Sequence, residues 1–167
     1  MKRAVLLALL LFAACHEHKQ PIAVESRNLS ITSSAFANDQ PIPKQYGCGG
    51  ESVPPPLNIT EVPSNAKTLA LIVTDPDAPG GLFTHWVVWN IPTSTPNVSA
   101  GVQGRNSYGK EGYGTLCPPA GSHRYIFDAY ALDTSLNAGP TAGREEIESA
   151  MKGHIVGHSR LVGIYSK

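Results

Sequence analysis

The stretch DPDAPGGLFTHWVVWNIP, residues 75 to 92, places two carboxylates, Asp75 and Asp77, shortly before a histidine, His85, that leads a nearly continuous apolar run. A second segment, CPPAGSHRY at 117 to 125, sets His123 and Tyr125 beside a proline pair, Pro118 and Pro119. Imidazole and phenol groups can donate hydrogen bonds to phosphate or carboxylate oxygens, and a proline wall offers no competing backbone N–H. A carboxylate beside them repels an anion. Its useful roles are to accept the far N–H of an imidazole and fix that ring, or to take an ammonium or hydroxyl group of a ligand.

The same residues permit two enzymatic readings. One is a hydrolase using Ser122, with His123 or His85 and Asp75. The other is a metal site with two histidines and one carboxylate, from Asp75, His85 and His123. Against the first, GSH at 121 to 123 lacks the G-x-S-x-G elbow, and a serine directly adjacent in sequence to its histidine is a poor nucleophile–base pair. Against the second, no two of these ligands share the short helical spacing of many metal sites. Taken singly, Asp75 is as well suited to capping a turn before Pro76, and each histidine to a structural role, as to chemistry.

Three segments must position these groups. KTLALIVT (67 to 74), THWVVWNI (84 to 91) and RYIFDAYAL (124 to 132) are β-branched and aromatic runs bounded by Pro and Gly, which predicts central strands buried on both faces. Asp75 ends the first, His85 opens the second and His123 precedes the third. Antiparallel neighbours would therefore bring them to one rim. LSITSSAFA (29 to 37) alternates as a strand, and the Pro- and Gly-rich stretch 38 to 66 predicts loop and short edge strand. The connection 92 to 123 is too long for an ordinary turn and is a candidate functional loop. The segment 141 to 152, with Ile147, Ala150 and Met151 on one face, acids in its first turns and Gly153 behind it, predicts a helix. HIVGHSRLVGIY predicts a closing strand.

The chain has 167 residues, 41% of them hydrophobic, with 16 Gly and 14 Pro, which suits one turn-rich, mainly β domain. Its first residues, MKRAVLLALLLFAACHEHK, carry Lys2 and Arg3 before a short apolar run, the form of a signal peptide over residues 1 to 14. FAAC resembles a bacterial lipobox, with Phe12 in place of the usual Leu, so Cys15 is the expected lipidation site and 15 to 28 a tether. The domain would span 29 to 167. His16 and His18 fit a solvated spacer better than a metal site. Loss of the leader leaves 11 basic and 13 acidic residues, a net charge of about −2 without a basic cluster, and this argues against a nucleic-acid partner. Cys48 and Cys117 then remain as an even pair, either bridged or as two thiols.

TDPDAPGGLFTHWVVWNIP followed by GYGTLCPPAGSHRYIFDAYALD resembles the phosphatidylethanolamine-binding protein family, in its bacterial branch the Raf kinase inhibitor-like proteins. The likeness runs from YGCGGESVPPPL (46 to 57) to GHSRLVGIYSK (157 to 167). It implies a large antiparallel sheet packed with a second small sheet, few helices, and an anion pocket at one end, with no metal and no cofactor. Carried over by motif, the pocket comprises Asp75, Ala78, Pro79, His85, Pro118, Pro119, His123 and Tyr125, with Asp77 shaping the turn and Ala78–Pro79 expected as a cis peptide. Two departures stand out: Cys117 replaces a Gly common among relatives, and Gly49 stands where bacterial relatives commonly carry an acid. The expected function is non-enzymatic binding of small anions or phospholipid headgroups such as phosphoethanolamine, with an effect on a protein partner through that surface. A structural lipoprotein with a vestigial pocket is a third reading.

The leader predicts a lipoprotein of the bacterial cell envelope on the periplasmic side, sorted to the outer membrane in a Gram-negative host because His16 follows Cys15. Cys15→Ser should therefore move the protein out of the membrane fraction and remove the mass of the lipid. Retention in the membrane, with mass changed only by the substitution, overturns the lipidation site.

Overall fold

The computed structural model describes residues 29–94 and 97–167; the expected leader, Cys15 and the tether lie outside the described residues. The strands are β1 (Ser30–Thr32), β2 (Gln40–Pro41), β3 (Asn58–Thr60), β4 (Thr68–Asp75), β5 (Phe83–Pro92), β6 (Val102–Gln103), β7 (Ser122–Leu132) and β8 (Ile155–Ser166). One α-helix, α1 (Arg144–Met151), is found among the described residues. Six strands form a sheet in the order β2-β8-β7-β4-β5-β6, and β1 pairs with β3 in a second, two-stranded sheet. The long neighbours are antiparallel; only short β2 joins β8 in parallel. The mainly β, two-sheet fold expected from the sequence is the fold observed.

Every residue of β4 is buried. Alternation along the strand sends Leu69, Leu71 and Val73 to one face and Ala70 and Ile72 to the other. The first face is covered by the small sheet through Ile31 and Ile59, together with Phe36, Ile42 and Leu116. The second is covered by Ile147 and Met151 of α1 and by Leu136 and Ala142. Burial on both faces explains why β4, β5 and β7 are continuous apolar runs in sequence.

Two elements are shorter than expected. β1 stops at Thr32 because Ser33 turns the chain: its hydroxyl donates to the Pro56 carbonyl at 2.7 Å and accepts the Ala35 N–H at 3.1 Å. Phe36 then leaves the strand and packs against Phe127, with ring centroids 5.7 Å apart. The helix begins at Arg144 and not 141, since the Ala142 N–H is spent on a turn to Gly139 and Gly143 is extended. Glu145 and Glu146 occupy its first turn, where the positive end of the helix dipole favours them.

Cys48 and Cys117 are bridged, with Cα atoms 5.3 Å apart and 69 residues of separation in sequence. A loop of that length loses much conformational freedom in the unfolded chain when closed. Replacing both with Ser should lower unfolding stability by about 2 to 4 kcal/mol in denaturant titration; an unchanged midpoint would show that the bridge holds nothing the fold does not already hold.

Candidate functional site

The site is built where the end of β4 meets the start of β7. The Asp75 carboxylate, 3% exposed, accepts the His123 Nδ1–H at 2.7 Å, and His123 is itself buried. The second Asp75 oxygen accepts the Asp77 N–H at 2.8 Å, closing the local turn that Asp-Pro favours. Asp77 then reaches across to Arg124. It accepts that residue's backbone N–H at 2.9 Å, Nε at 2.9 Å and Nη2 at 2.6 Å. The two acids of DPD thus tie the β4–β5 turn to two successive residues of β7. Arg124 holds the Asp77 carboxyl down at about 2, chiefly through these side-chain hydrogen bonds.

His85 owes its position to a bulge. Val73 pairs with Trp86 while Thr74 pairs with Thr84, so His85 is the extra residue of β5. Strict alternation would turn it toward the face of Val87. The added residue returns it to the side of Tyr125, whose ring it meets edge-on with centroids 5.1 Å apart. Phe83 and Tyr108 flank it at 4.9 and 5.8 Å. Its Nδ1–H donates to the Gly114 carbonyl at 3.0 Å, and the Gly114 N–H donates to its own carbonyl at 2.6 Å. A Cβ at position 114 would lie 2.8 Å from the Tyr108 ring and 3.0 Å from the His85 carbonyl, so glycine is what lets this clamp close. Burial pushes the His85 pKa below 6.5, opposed only in part by the Gly114 carbonyl and the Asp75 charge.

These groups border a cavity of about 400 Å³. Of the residues carried over by motif, Asp75, Ala78, Pro79, His85 and Pro119 line it. Pro118, His123 and Tyr125 do not. Pro118 is buried between the lining residues Cys117 and Pro119 of the same wall, His123 is engaged by Asp75, and Tyr125 is fully covered between its neighbours. The remaining lining includes Leu82, Phe83, Tyr108 and Cys117, which sequence reasoning did not assign to the pocket. Leu82 and Phe83 sit inside the quoted motif, and Tyr108 and Cys117 fall in the long 92 to 123 connection. The expected cis peptide at Ala78–Pro79 is absent. Pro79 occupies the second position of a turn closed by the Gly81 N–H on the Ala78 carbonyl at 3.0 Å, a place that trans proline fills well.

Neither enzymatic arrangement is assembled. Ser122 Oγ is hydrogen-bonded to Ser166 Oγ at 2.6 Å, while the Nδ1 atoms of His85 and His123 are bonded to Gly114 and Asp75. Among the described residues no group of three or more His, Cys, Asp or Glu is placed to hold a metal ion. Both imidazoles have Nδ1 engaged, His85 on a carbonyl and His123 on Asp75.

The sequence profile of the phosphatidylethanolamine-binding protein family matches residues 32–166. The chain belongs to that family. Its family relatives include a UPF0098 protein of Pyrococcus abyssi, 47% identical over 150 residues that cover 81% of this chain and 84% of the relative. A UPF0098 protein of Chlamydia trachomatis is 43% identical over 149 residues, 83% of this chain and 99% of the relative. Among solved structures, a phosphatidylethanolamine-binding protein homologue of Chlamydia trachomatis superposes with a TM-score of 0.81 at 41% identity, covering 85% of this chain and 99% of its own. Escherichia coli YbcL, described as a new member of the mammalian PEBP family, gives 0.76 at 26% identity, with 84% and 99% covered. The family relatives span archaea and bacteria.

The Asp77 clamp carries a pH signature. Its carboxyl is held below the ordinary 3.8, so it stabilises the fold above that value, and the contribution is lost as pH falls toward about 2. Asp77→Asn should flatten the acid limb of the urea midpoint plotted against pH while leaving the neutral region little changed. An identical acid limb in parent and variant would mean that the exposed ion pair contributes nothing.

Proposed function

We propose that the cavity binds a small anion carrying an apolar or cationic portion, a phosphate-bearing headgroup such as phosphoethanolamine being the best match, and that it does so without chemical turnover. The observation that carries this reading is the clamp on His85: with Nδ1–H spent on Gly114, Nε2 is the nitrogen left for a ligand in the cavity. In the neutral ring Nε2 is an acceptor. On protonation it becomes a charged donor suited to a phosphate oxygen. Asp75, at the same wall, suits an ammonium group, and Leu82, Phe83 and Tyr108 offer apolar surface to whatever continues outward. The name of the matched family, for phosphatidylethanolamine binding, supports the choice of headgroup. Lipidation at Cys15 would hold the cavity close to a membrane of the cell envelope, where such headgroups are concentrated, and within reach of a protein partner there.

Because burial lowers the His85 pKa below 6.5, anion affinity should rise only as pH falls below that value. Sulfate keeps a constant charge through this window and isolates the titration of the protein; phosphoethanolamine tests the headgroup. Calorimetric titration with each at about pH 5 and about pH 7.5 should show tighter sulfate binding at the lower pH. His85→Ala should weaken binding at the lower pH by about 1.5 to 3 kcal/mol and abolish the pH dependence of sulfate binding. A folded His85→Ala variant with the parent's affinity at both pH values overturns the assignment.

A further inference from the structure

The wall of the cavity between Leu116 and β7 is held in an unusual way. Leu116 is anchored, its carbonyl accepting the Cys48 N–H at 3.0 Å and its backbone bridged to Gly47. β7 resumes sheet pairing at Ser122. Between them, Cys117 to Gly121 make no backbone–backbone hydrogen bond to another described residue, and the polar contact of the segment is the Cys117 backbone turned toward the Tyr125 hydroxyl. Pro118 and Pro119 have no N–H to give, and Gly121 sits at φ +70 over open space. The one cross-link on this segment is the bridge from Cys117 to Cys48.

The other end of the bridge is firmly seated. The Gly49 N–H donates to the Tyr165 hydroxyl at 2.9 Å, and the Tyr113 hydroxyl donates to the Tyr46 carbonyl at 2.7 Å, so the loop around Cys48 keeps its place without the disulfide. Cys48 is exposed, whereas Cys117 is half-buried and lines the cavity together with Pro119. Cutting the bridge therefore frees the cavity wall and leaves the anchor where it is.

We propose that Cys48–Cys117 is a thiol-exchange site that controls the anion cavity, its substrate a small dithiol or the dithiol of a reducing protein. The ligand half of this proposal rests on the anion-binding reading above. A thiolate of the reductant attacks the sulfur of Cys48, the more exposed residue of the pair, forming a mixed disulfide and expelling Cys117 as a thiolate. The second thiol of the reductant then attacks its own sulfur in the mixed disulfide and releases Cys48. The reductant is oxidised to its disulfide, two electrons pass to the bridge, and two protons end on the cysteine thiols. The wall segment is then held only by its ends and by the packing of Pro118, and the cavity loses the covalent tie that fixes Pro119. By linkage, whatever factor separates the anion affinities of the two redox states also separates the resistance of the bridge to reduction with and without anion.

The test uses the intact chain, oxidised or reduced with dithiothreitol, which is uncharged and does not compete as an anion. Backbone order parameters from nuclear relaxation should fall at Cys117 and Ala120 from the rigid range near ~0.85 to below about 0.6 on reduction, while Gly49 stays rigid. Phosphoethanolamine affinity should fall about tenfold, and saturating phosphoethanolamine should raise the dithiothreitol needed for half-reduction. Pro118→Gly with Pro119→Gly, made in the oxidised protein, loosens the same wall with the bridge intact and should reproduce the affinity loss without any reduction. Unchanged order parameters in the reduced, folded chain overturn the latch, as does equal affinity in the oxidised parent and the double glycine variant. Absence of phosphoethanolamine binding to the oxidised parent overturns the anion-binding reading and the ligand half with it, while the order parameters still decide whether the bridge holds the wall.

Discussion

A carboxylate buried to 3% exposure has to be compensated, and most of the architecture around the site can be traced to how Asp75 is compensated. One oxygen takes the His123 Nδ1–H and the other takes a backbone N–H of its own turn. The first contact fixes where β7 begins relative to the end of β4; the second fixes how the chain leaves β4 toward β5. Asp77 repeats the device one turn later on Arg124, nearer the solvent and with weaker consequences. Two acids separated by a proline therefore join three strand ends, and the cavity is the space left between them.

The family likeness and the geometry bear on different parts of the molecule. The solved relatives share the two-sheet frame, and that frame is what places an aspartate, a histidine and a proline wall at one end of the sheet. In this chain a cysteine takes part in the wall itself. Its partner sits beside Gly49, whose small size suits the close approach of the Tyr165 hydroxyl, 3.0 Å from where a Cβ would be. An acid at position 49 would crowd that contact.

Strands β4, β5 and β7 were legible because burial on both faces forces long apolar runs, and Pro or Gly marks their ends. Asp75 and His85 were legible as strand-end polar residues. The bulge that aims His85 was not: Thr84, His85 and Trp86 carry no glycine or other local mark, and the extra residue is defined only by pairing with β4. Tyr125 shows the same limit from the other side. Its type suits ligand contact, yet its place on an inner strand beneath His85 buries it completely. Tyr108 lies in a loop without periodicity, and long-range contacts bring it to the cavity: Ser107 pairs with Thr84, and the Tyr108 ring packs on Phe83 and His85. The early end of β1 likewise depends on Pro56, far away in sequence, accepting from Ser33.

β8 lies inside the large sheet, between β2 and β7, and its Ser159 hydroxyl accepts the N–H of Ile31 from a distance of 128 residues in sequence. During synthesis, β7 has no antiparallel partner on that side until residues 155–166 have left the ribosome, and the small sheet has no complete surface to close upon. Non-local pairing of this kind delays the rewarding contacts until the loop-closure entropy has been met, so the domain assembles late and slowly for its size. Until then the open edge of β7 is an unpaired, largely apolar strand. A chaperone that shields exposed strands would find its substrate there.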